Sequence, residues 1–301
     1  MQKKHLGLLL MICAAAMMAT SILLMKTIPQ LTSLLPKDVA IWRFSIAAPA
    51  AWLFYSLRRG KKPLLPNHFW RFVLLGGVFS IASFCAVFAL ERLSSSIYII
   101  TVYIYPSLVV LYSLFTGRSI PKFYWLGLPL TFVGLFLVAF DRGAAISIDP
   151  LGFVITIVNA FAMAAYVLLS EKFFEGVDNK ILGTNWMMLG AMTAGLIMIL
   201  PLGLQAPENA MGWILILSLG IVGTFLPILL INIGLQLLGA ARGSVIITLQ
   251  PVFTVVLSNI FLGETLTLQQ WLGGILVIIA IVLLQLRSVK KVPKEHEVHS
   301  G

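Results

Sequence analysis

The sequence predicts an all-α integral membrane protein of ten transmembrane helices, arranged as two inverted five-helix repeats. Three observations carry this: an apolar content too high for a soluble globule, ten apolar runs of about one membrane span each, and a plan of proline, glycine and tryptophan that occurs twice. Hydrophobic residues make up 59% and charged residues 11% of the 301-residue chain, with a mean hydropathy of +1.00, which leaves too little polar surface to coat a globule in water. A helix needs about 20 apolar residues to cross a bilayer. The runs are 6–25, 39–57, 72–90, 95–115, 123–140, 151–170, 181–204, 213–235, 240–262 and 266–286, and the connections leave little room for a soluble domain.

The repeat is clearest in the stretches 94–127 and 239–274. Each has an apolar helix with a central proline (Pro106, Pro251), a glycine at the helix end (Gly117, Gly263) and Trp-Leu-Gly opening the next helix (Trp125 to Gly127, Trp271 to Gly273). The glycine-to-tryptophan spacing is the same in both, and one extra residue separates proline from glycine in the second. Farther out, Lys172 matches Lys26, Ala160 matches Ala14 and Ala165 matches Ala19. Five spans per copy is an odd number, so the second copy inserts upside down. The division expected is 1–145 for the first repeat, 146–290 for the second and 291–301 for a polar tail.

The first run opens MQKKHLGLLLMICAAAMMA, a basic start, an apolar core and small residues, which also describes a secretory signal. Its apolar stretch continues to Met25 and the next segment is itself membrane-spanning, so it is read as a helix that stays. Ala14, Ala15, Ala16 and Ala19 let neighbours approach closely, because tight van der Waals contact drives helix association in lipid; Thr20 adds a hydroxyl near the far end. Trp42-Arg43-Phe44 opens the second helix, where Arg43 is expected to snorkel to the interface. In the third, residues 80, 84, 87 and 91 share a face, with Phe84 its aromatic member. In the fourth, Tyr98, Thr101 or Val102, and Tyr105 share a face ahead of Pro106, which removes a backbone hydrogen bond and is expected to kink the helix. The sixth aligns Asn159, Met163, Tyr166 and Ser170. The seventh carries Asn185 and Trp186 in a methionine-rich stretch. The eighth aligns Phe225, Ile228, Asn232 and Gln236, two amides that must face protein or water. The ninth places Ser244, Thr248 and Gln250 before Pro251, and the tenth is plain aliphatic apart from Gly273 and Gly274.

With the N-terminus taken as cytoplasmic, 16 of the 21 basic residues fall on inside segments and 5 on outside segments. That excess marks the cytoplasmic side, so the chain is expected to be multi-pass in the cell (cytoplasmic) membrane with both termini inside. It also accounts for the net charge of +10, and no nucleic-acid partner is read from it. The partners expected are the lipid bilayer, whose anionic headgroups the basic tail can touch, and a small-molecule solute. Cys13 and Cys85 lie within spans without redox or metal spacing, and His5, His68, His296 and His299 lie in tails or a loop, so neither a metal site nor a cofactor is expected.

The duplicated unit, Trp42-Arg43-Phe44, the Ala89-Leu90-Glu91 end of the third helix and above all LQPVFTVVLSNIFLGETLTLQQWLGG at 249–274 resemble the drug/metabolite transporter superfamily, specifically its ten-helix EamA type. Two departures stand out: the first half has Gly117-Arg118-Ser119 where the family often has Gly-Glu, and Gln250 precedes Pro251 where a glutamate is frequent. The resemblance implies a basket around a central cavity, lined by helices three, four, eight and nine with one and six contributing. It puts five and ten outside or at a homodimer contact, and implies alternating access in which the halves rock about a midplane site.

The function expected is therefore secondary transport of small metabolites, amino acids or related polar solutes, with export as the direction, across a bacterial inner membrane. The substrate-binding candidates are Thr20, Phe84, Tyr98, Thr101, Tyr105, Asn159, Tyr166, Asn232 and Thr248: aromatics as a stacking or cation–π wall, amides and hydroxyls to orient a polar solute. Substitution of Asn232 or Tyr166 is expected to lower transport without reducing folded yield. No ionisable residue is expected at midplane depth, so nothing marks a proton relay. The alternative is a carrier of organic cations such as quaternary ammonium compounds or drugs, with Tyr98, Tyr105, Tyr166 and Phe84 as a cage. An intramembrane enzyme would need a nucleophile and base or paired carboxylates at compatible depth, and no His or Asp falls within a span. A channel would lack saturable, counterflow-stimulated flux.

Overall fold

The computed structural model describes residues 2–58, 65–66, 68–93, 98, 101–117, 124–139, 149–262 and 267–286. The basic loop at 59–64, the Arg118-Ser119 and Gly263-Glu264 turns and the tail 291–301 lie outside these described residues. Within them the chain is helical throughout: α1 Gln2–Leu31, α2 Pro36–Arg58, α3 Phe69–Leu90, α4 Tyr105–Phe115, α5 Tyr124–Ala139, α6 Pro150–Phe173, α7 Lys180–Ile199, α8 Ala210–Leu238, α9 Ala240–Phe261 and α10 Leu268–Leu286. Six of these, α1, α3, α6, α7, α8 and α9, are long and apolar enough to cross a membrane outright, and α4, α5 and α10 contain shorter apolar helices. At 23 residues α2 has the length, but it carries Lys37, Asp38, Arg43 and Arg58.

Local chemistry sets the helix starts. Asp149, Asn179 and Asn209 cap α6, α7 and α8, their side chains accepting from the backbone N–H of Gly152 (2.8 Å), Leu182 (3.1 Å) and Gly212 (2.8 Å). Each satisfies a donor that a helix start leaves without a partner, which matters most where water is scarce. Gly239, at φ 85°, joins α8 to α9 with no intervening loop, a backbone conformation that a side chain would strain.

The halves interleave. α3 packs on α6 and α7 of the second half, and α8 packs on α1 and α2 of the first; α4 lies against α6, and α9 against α1; α2 meets α7, and α5 meets α10. Each of these pairings has its counterpart with the halves exchanged, as a two-fold relation between inverted repeats requires. Two close crossings show the same relation. A Cβ on Gly76 of α3 would strike the Met187 carbonyl and the Ala191 nitrogen of α7, and one on Gly220 of α8 would meet Ile46 and the Arg43 carbonyl of α2. Absence of a side chain lets the backbones touch, the main source of helix association in lipid.

α2 is fastened to the second half at both ends, to the segment after α7 and to α8 at one and to the start of α7 at the other. Beside the end of α1, Trp42 Nε1 donates to the Gln205 carbonyl (2.7 Å), Lys37 Nζ donates to that of Gly203 (2.9 Å) and Trp42 meets Trp213 edge-on at 5.1 Å. At the opposite end, Asn179 Nδ2 donates to the Tyr55 hydroxyl (3.0 Å) and Trp52 meets Trp186 at 5.5 Å.

Candidate functional site

The prolines of α4 and α9 do more than kink them. Thr101 and Val102 are helical, Tyr103 and Ile104 form a turn, and α4 proper starts at Tyr105 with Pro106 in its first turn. α9 likewise runs Ala240–Ile247, breaks at Thr248 and Leu249, and resumes at Gln250. The breaks close with i−3 hydrogen bonds, Ile104 N–H to the Thr101 carbonyl (3.2 Å) and Thr248 N–H to that of Val245 (3.1 Å). Proline explains both: it has no N–H for the carbonyl four residues back, and it biases the residue before it away from the helical region. The two broken segments meet. The Tyr103 hydroxyl donates to Gln250 Oε1 (3.2 Å), and the Tyr105 hydroxyl to the Ser244 carbonyl (3.4 Å).

Four of the expected site residues form two bonded pairs. Asn159 Nδ2 of α6 donates to the Tyr98 hydroxyl at 2.8 Å. Asn232 Oδ1 of α8 accepts from the hydroxyls of Tyr166 (3.2 Å) and Ser170 (2.8 Å), while its Nδ2 donates to Thr184 Oγ1 of α7 (3.0 Å) and lies 3.6 Å from Met187 Sδ. Asn232 is fully buried and joins three helices with its amide satisfied on both sides, so its substitution now implies a loss of stability, against the expectation of an unchanged folded yield. Tyr105 reaches α9 as described, and Thr101 is buried beside the α4 break. Others turn inward on their own helix: Thr20 donates to the Ala16 carbonyl (3.3 Å) and Thr248 to that of Val245 (2.6 Å). Phe84 packs in a satellite core with Ala40, Ile41, Val87 and Ile199. The rings of Tyr103 and Tyr105 lie 5.9 Å apart, and Tyr166 meets Phe79 at 5.0 Å. Between α4 and α5 lies an apolar cleft of about 480 Å³ lined by Val110, Leu114, Trp125, Leu128 and Phe132, distinct in character from the polar centre.

Arg43 corrects the sequence reading. It does not snorkel: the helix starts at Pro36, three residues before the expected start, which sets Arg43 about 10 Å along the helix, and the residue is 6% exposed. Its Nε donates to Thr224 Oγ1 of α8 (3.2 Å), one terminal nitrogen lies 3.4 Å from Met25 Sδ of α1, and the guanidinium sits 5.1 Å over the Phe44 ring. Tyr98 is its electrostatic neighbour. Thr224 lies fourteen residues from either end of α8, so an ionisable group does reach the middle of the fold. Thr224 also sits in a π-helical segment, Ile221–Phe225, and donates to the Leu219 carbonyl five residues back (2.8 Å), filling an acceptor that the wider turn frees. The sequence reading misses Arg43 and Thr224, the Tyr103–Gln250 pair and the Thr184 support of Asn232. The one signal for Arg43 is an arginine with no acid three or four residues away on its helix.

A model of the EamA-like transporter family matches this chain twice, over residues 5–140 and 150–286. Among relatives, the chain is 26% identical to an uncharacterized inner membrane transporter, YicL, of Salmonella typhimurium, over 67% of this chain and 68% of that protein. It is 25% identical to an uncharacterized transporter, YcbK, of Bacillus subtilis, over 86% of each. A solved crystal structure superposes with a TM-score of 0.80 at 16% identity, covering 93% of this chain and 96% of the other, a likeness of fold. With a family model over both repeats and ten helices in inverted pairs, the chain belongs to the EamA-like transporter family and is a multi-pass membrane transporter.

Proposed function

We propose that this transporter exports amino acids or related small polar solutes across a bacterial inner membrane by alternating access, with both termini in the cytoplasm. The observation that supports it most is the meeting of two broken helices. At each break, carbonyls without helical partners and the N-terminal end of a half-helix sit beside hydroxyl and amide side chains, in the same place in both repeats. Broken backbone at depth is tolerated where it is buried in protein or lines a water-filled cavity, and paired discontinuous helices are suited to hold a polar solute there.

The interleaving refines how access would alternate. Because α3 is packed on α6 and α7, and α8 on α1 and α2, the moving bodies are these mixed bundles rather than the two sequence halves. The α2–α7 contact, bonded at one end through Asn179 and Tyr55 and continued at the other by the bond of Trp42 to the segment after α7, is the line about which they turn. The organic-cation alternative is disfavoured by Arg43, whose buried positive charge is in electrostatic range of Tyr98, one of the residues that would form the cage.

The test is solute counterflow in proteoliposomes loaded with unlabelled amino acids. Saturable uptake of a labelled amino acid, stimulated by the internal pool and reduced in a Tyr103→Phe, Gln250→Leu double variant, supports the reading. Flux that rises linearly with concentration would indicate a pore, and flux of quaternary ammonium probes alone would favour the cation carrier. Comparing right-side-out with inverted vesicles tests the direction.

A further inference from the structure

We infer that Arg43 is an anion subsite: it takes a carboxylate carried by the transported solute, with Thr224 holding the guanidinium in position. The inference rests on the transport reading above and adds the charge class of what is carried.

The first ground is an unbalanced charge. A guanidinium has five N–H donors in a planar fork that matches a carboxylate. In this structure one is bonded to a hydroxyl oxygen and another faces a thioether, a weak acceptor; no carboxylate pairs with Arg43 among the described residues. The nearest acid on its own helix, Asp38, is engaged elsewhere, accepting from the N–H groups of Leu35 (3.1 Å) and Gln205 (3.3 Å). Arg43 is also 94% buried, since 6% of its surface is exposed. A charge in such a place is costly unless an opposite charge arrives, and a resident counter-ion would leave no room for one from the solute.

The second ground is the other half of the molecule. The carbonyl of Met187 approaches Gly76 as that of Arg43 approaches Gly220, so Met187 occupies the place equivalent to Arg43. Ser80 stands four residues after Gly76, as Thr224 stands four after Gly220. Ser80 Oγ is buried without a hydrogen-bond partner, whereas Thr224 Oγ1 accepts from Arg43. The same crossing is therefore built without an arginine, and the frame does not require one. What Arg43 adds is a positive charge in electrostatic range of Tyr98, whose hydroxyl accepts from Asn159.

The experiment uses the purified full chain in detergent and in proteoliposomes. Melting temperature is followed with a panel of the proteinogenic amino acids, their carboxamides, simple monocarboxylates, and sodium chloride at matched ionic strength. Wild type is expected to be stabilised by at least one amino acid by several degrees more than by its carboxamide or by chloride. Arg43→Met and Arg43→Gln are expected to fold and to bind that amino acid about 30-fold or more weakly, with Arg43→Lys intermediate. Three results would overturn the subsite: carboxamides stabilising as well as the acids, no carboxylate exceeding chloride, or both neutral variants failing to fold where wild type folds, which would assign Arg43 to the frame. Counterflow of carboxamides and uncharged solutes by wild type separates the two readings. If these exchange and the acids do not, transport of polar solutes stands and the subsite falls; if nothing in the panel exchanges, the solute class itself is wrong.

Discussion

The two repeats share a helix plan and divide the chemistry between them. The first supplies the cation and most of the phenols, Arg43, Tyr98, Tyr103 and Tyr105; the second supplies amides and hydroxyls, Asn159, Ser170, Thr184, Thr224, Asn232 and Gln250, with the phenol of Tyr166. The glycine crossings make the contrast most legible. Arg43 bonds Thr224 at one, and at the other Met187 leaves Ser80 Oγ without a partner. A duplicated frame needs matching shapes at its crossings, since packing holds helices together in lipid. It does not need matching polar groups, so these were free to specialise. The backbones diverge as well. α8 contains the π segment while α3 is a regular α-helix, and the repeats are offset by 144 residues at Gly76 and Gly220 but by 145 at Pro106 and Pro251. A π turn holds one residue more than an α turn, which matches that step.

Substitutions at equivalent places test how far the likeness goes. The largest effect is expected at the crossings themselves. Gly76→Ala would drive a methyl group against backbone atoms of Met187 and Ala191, whereas Gly220→Ala meets chiefly the Ile46 side chain. Thermal unfolding in detergent should show a loss of about 3 kcal/mol for the first and about 1 to 2 kcal/mol for the second; an equal loss would mean that both crossings relax alike. Next comes Asn232→Ala, which leaves the Tyr166 and Ser170 hydroxyls without their acceptor. It should lower stability by about 2 to 3 kcal/mol, read in the same assay as a shifted midpoint. Thr224→Val and Ser80→Ala form a smaller, opposed pair. The first removes the oxygen acceptor of Arg43 and should cost about 1 to 2 kcal/mol; the second deletes a hydroxyl that has no partner and should be neutral or slightly stabilising. Smallest are Tyr103→Phe and Tyr105→Phe, each deleting one hydrogen bond between the broken helices, with counterflow rates expected to change by about 2- to 10-fold, in keeping with about 0.5 to 1.5 kcal/mol per bond.

Much of the frame is legible in the sequence because membrane insertion writes it in runs of apolar residues and the repeat writes it twice. The ten runs correspond to the ten helices, and the spacing of Pro106 and Pro251 finds the two segments that meet. The site is less legible. Face periodicity puts Asn232 and Tyr166 on inner surfaces but cannot show that they bond each other and Ser170, because that depends on the rotation of α8 against α6 and α7. Position along the chain marks Thr20 and Thr248 as polar contacts, while their hydroxyls serve their own backbone, a local option open to threonine in any helix. Arg43 escapes the sequence through a shift in helix start: counted from Val39 it sits at the rim, and from Pro36 it lies one turn deeper, inside the bundle.

The unfolding free energy of Arg43→Met, measured without any solute, bears most directly on the contrast between the halves. If the frame is built equally well around Arg43 and Met187, and the arginine is kept for its charge, the variant should be at least as stable as wild type, because a buried charge without a counter-ion has been removed. A loss of about 2 kcal/mol or more would contradict this and make the Arg43–Thr224 contact a structural bond of the first order.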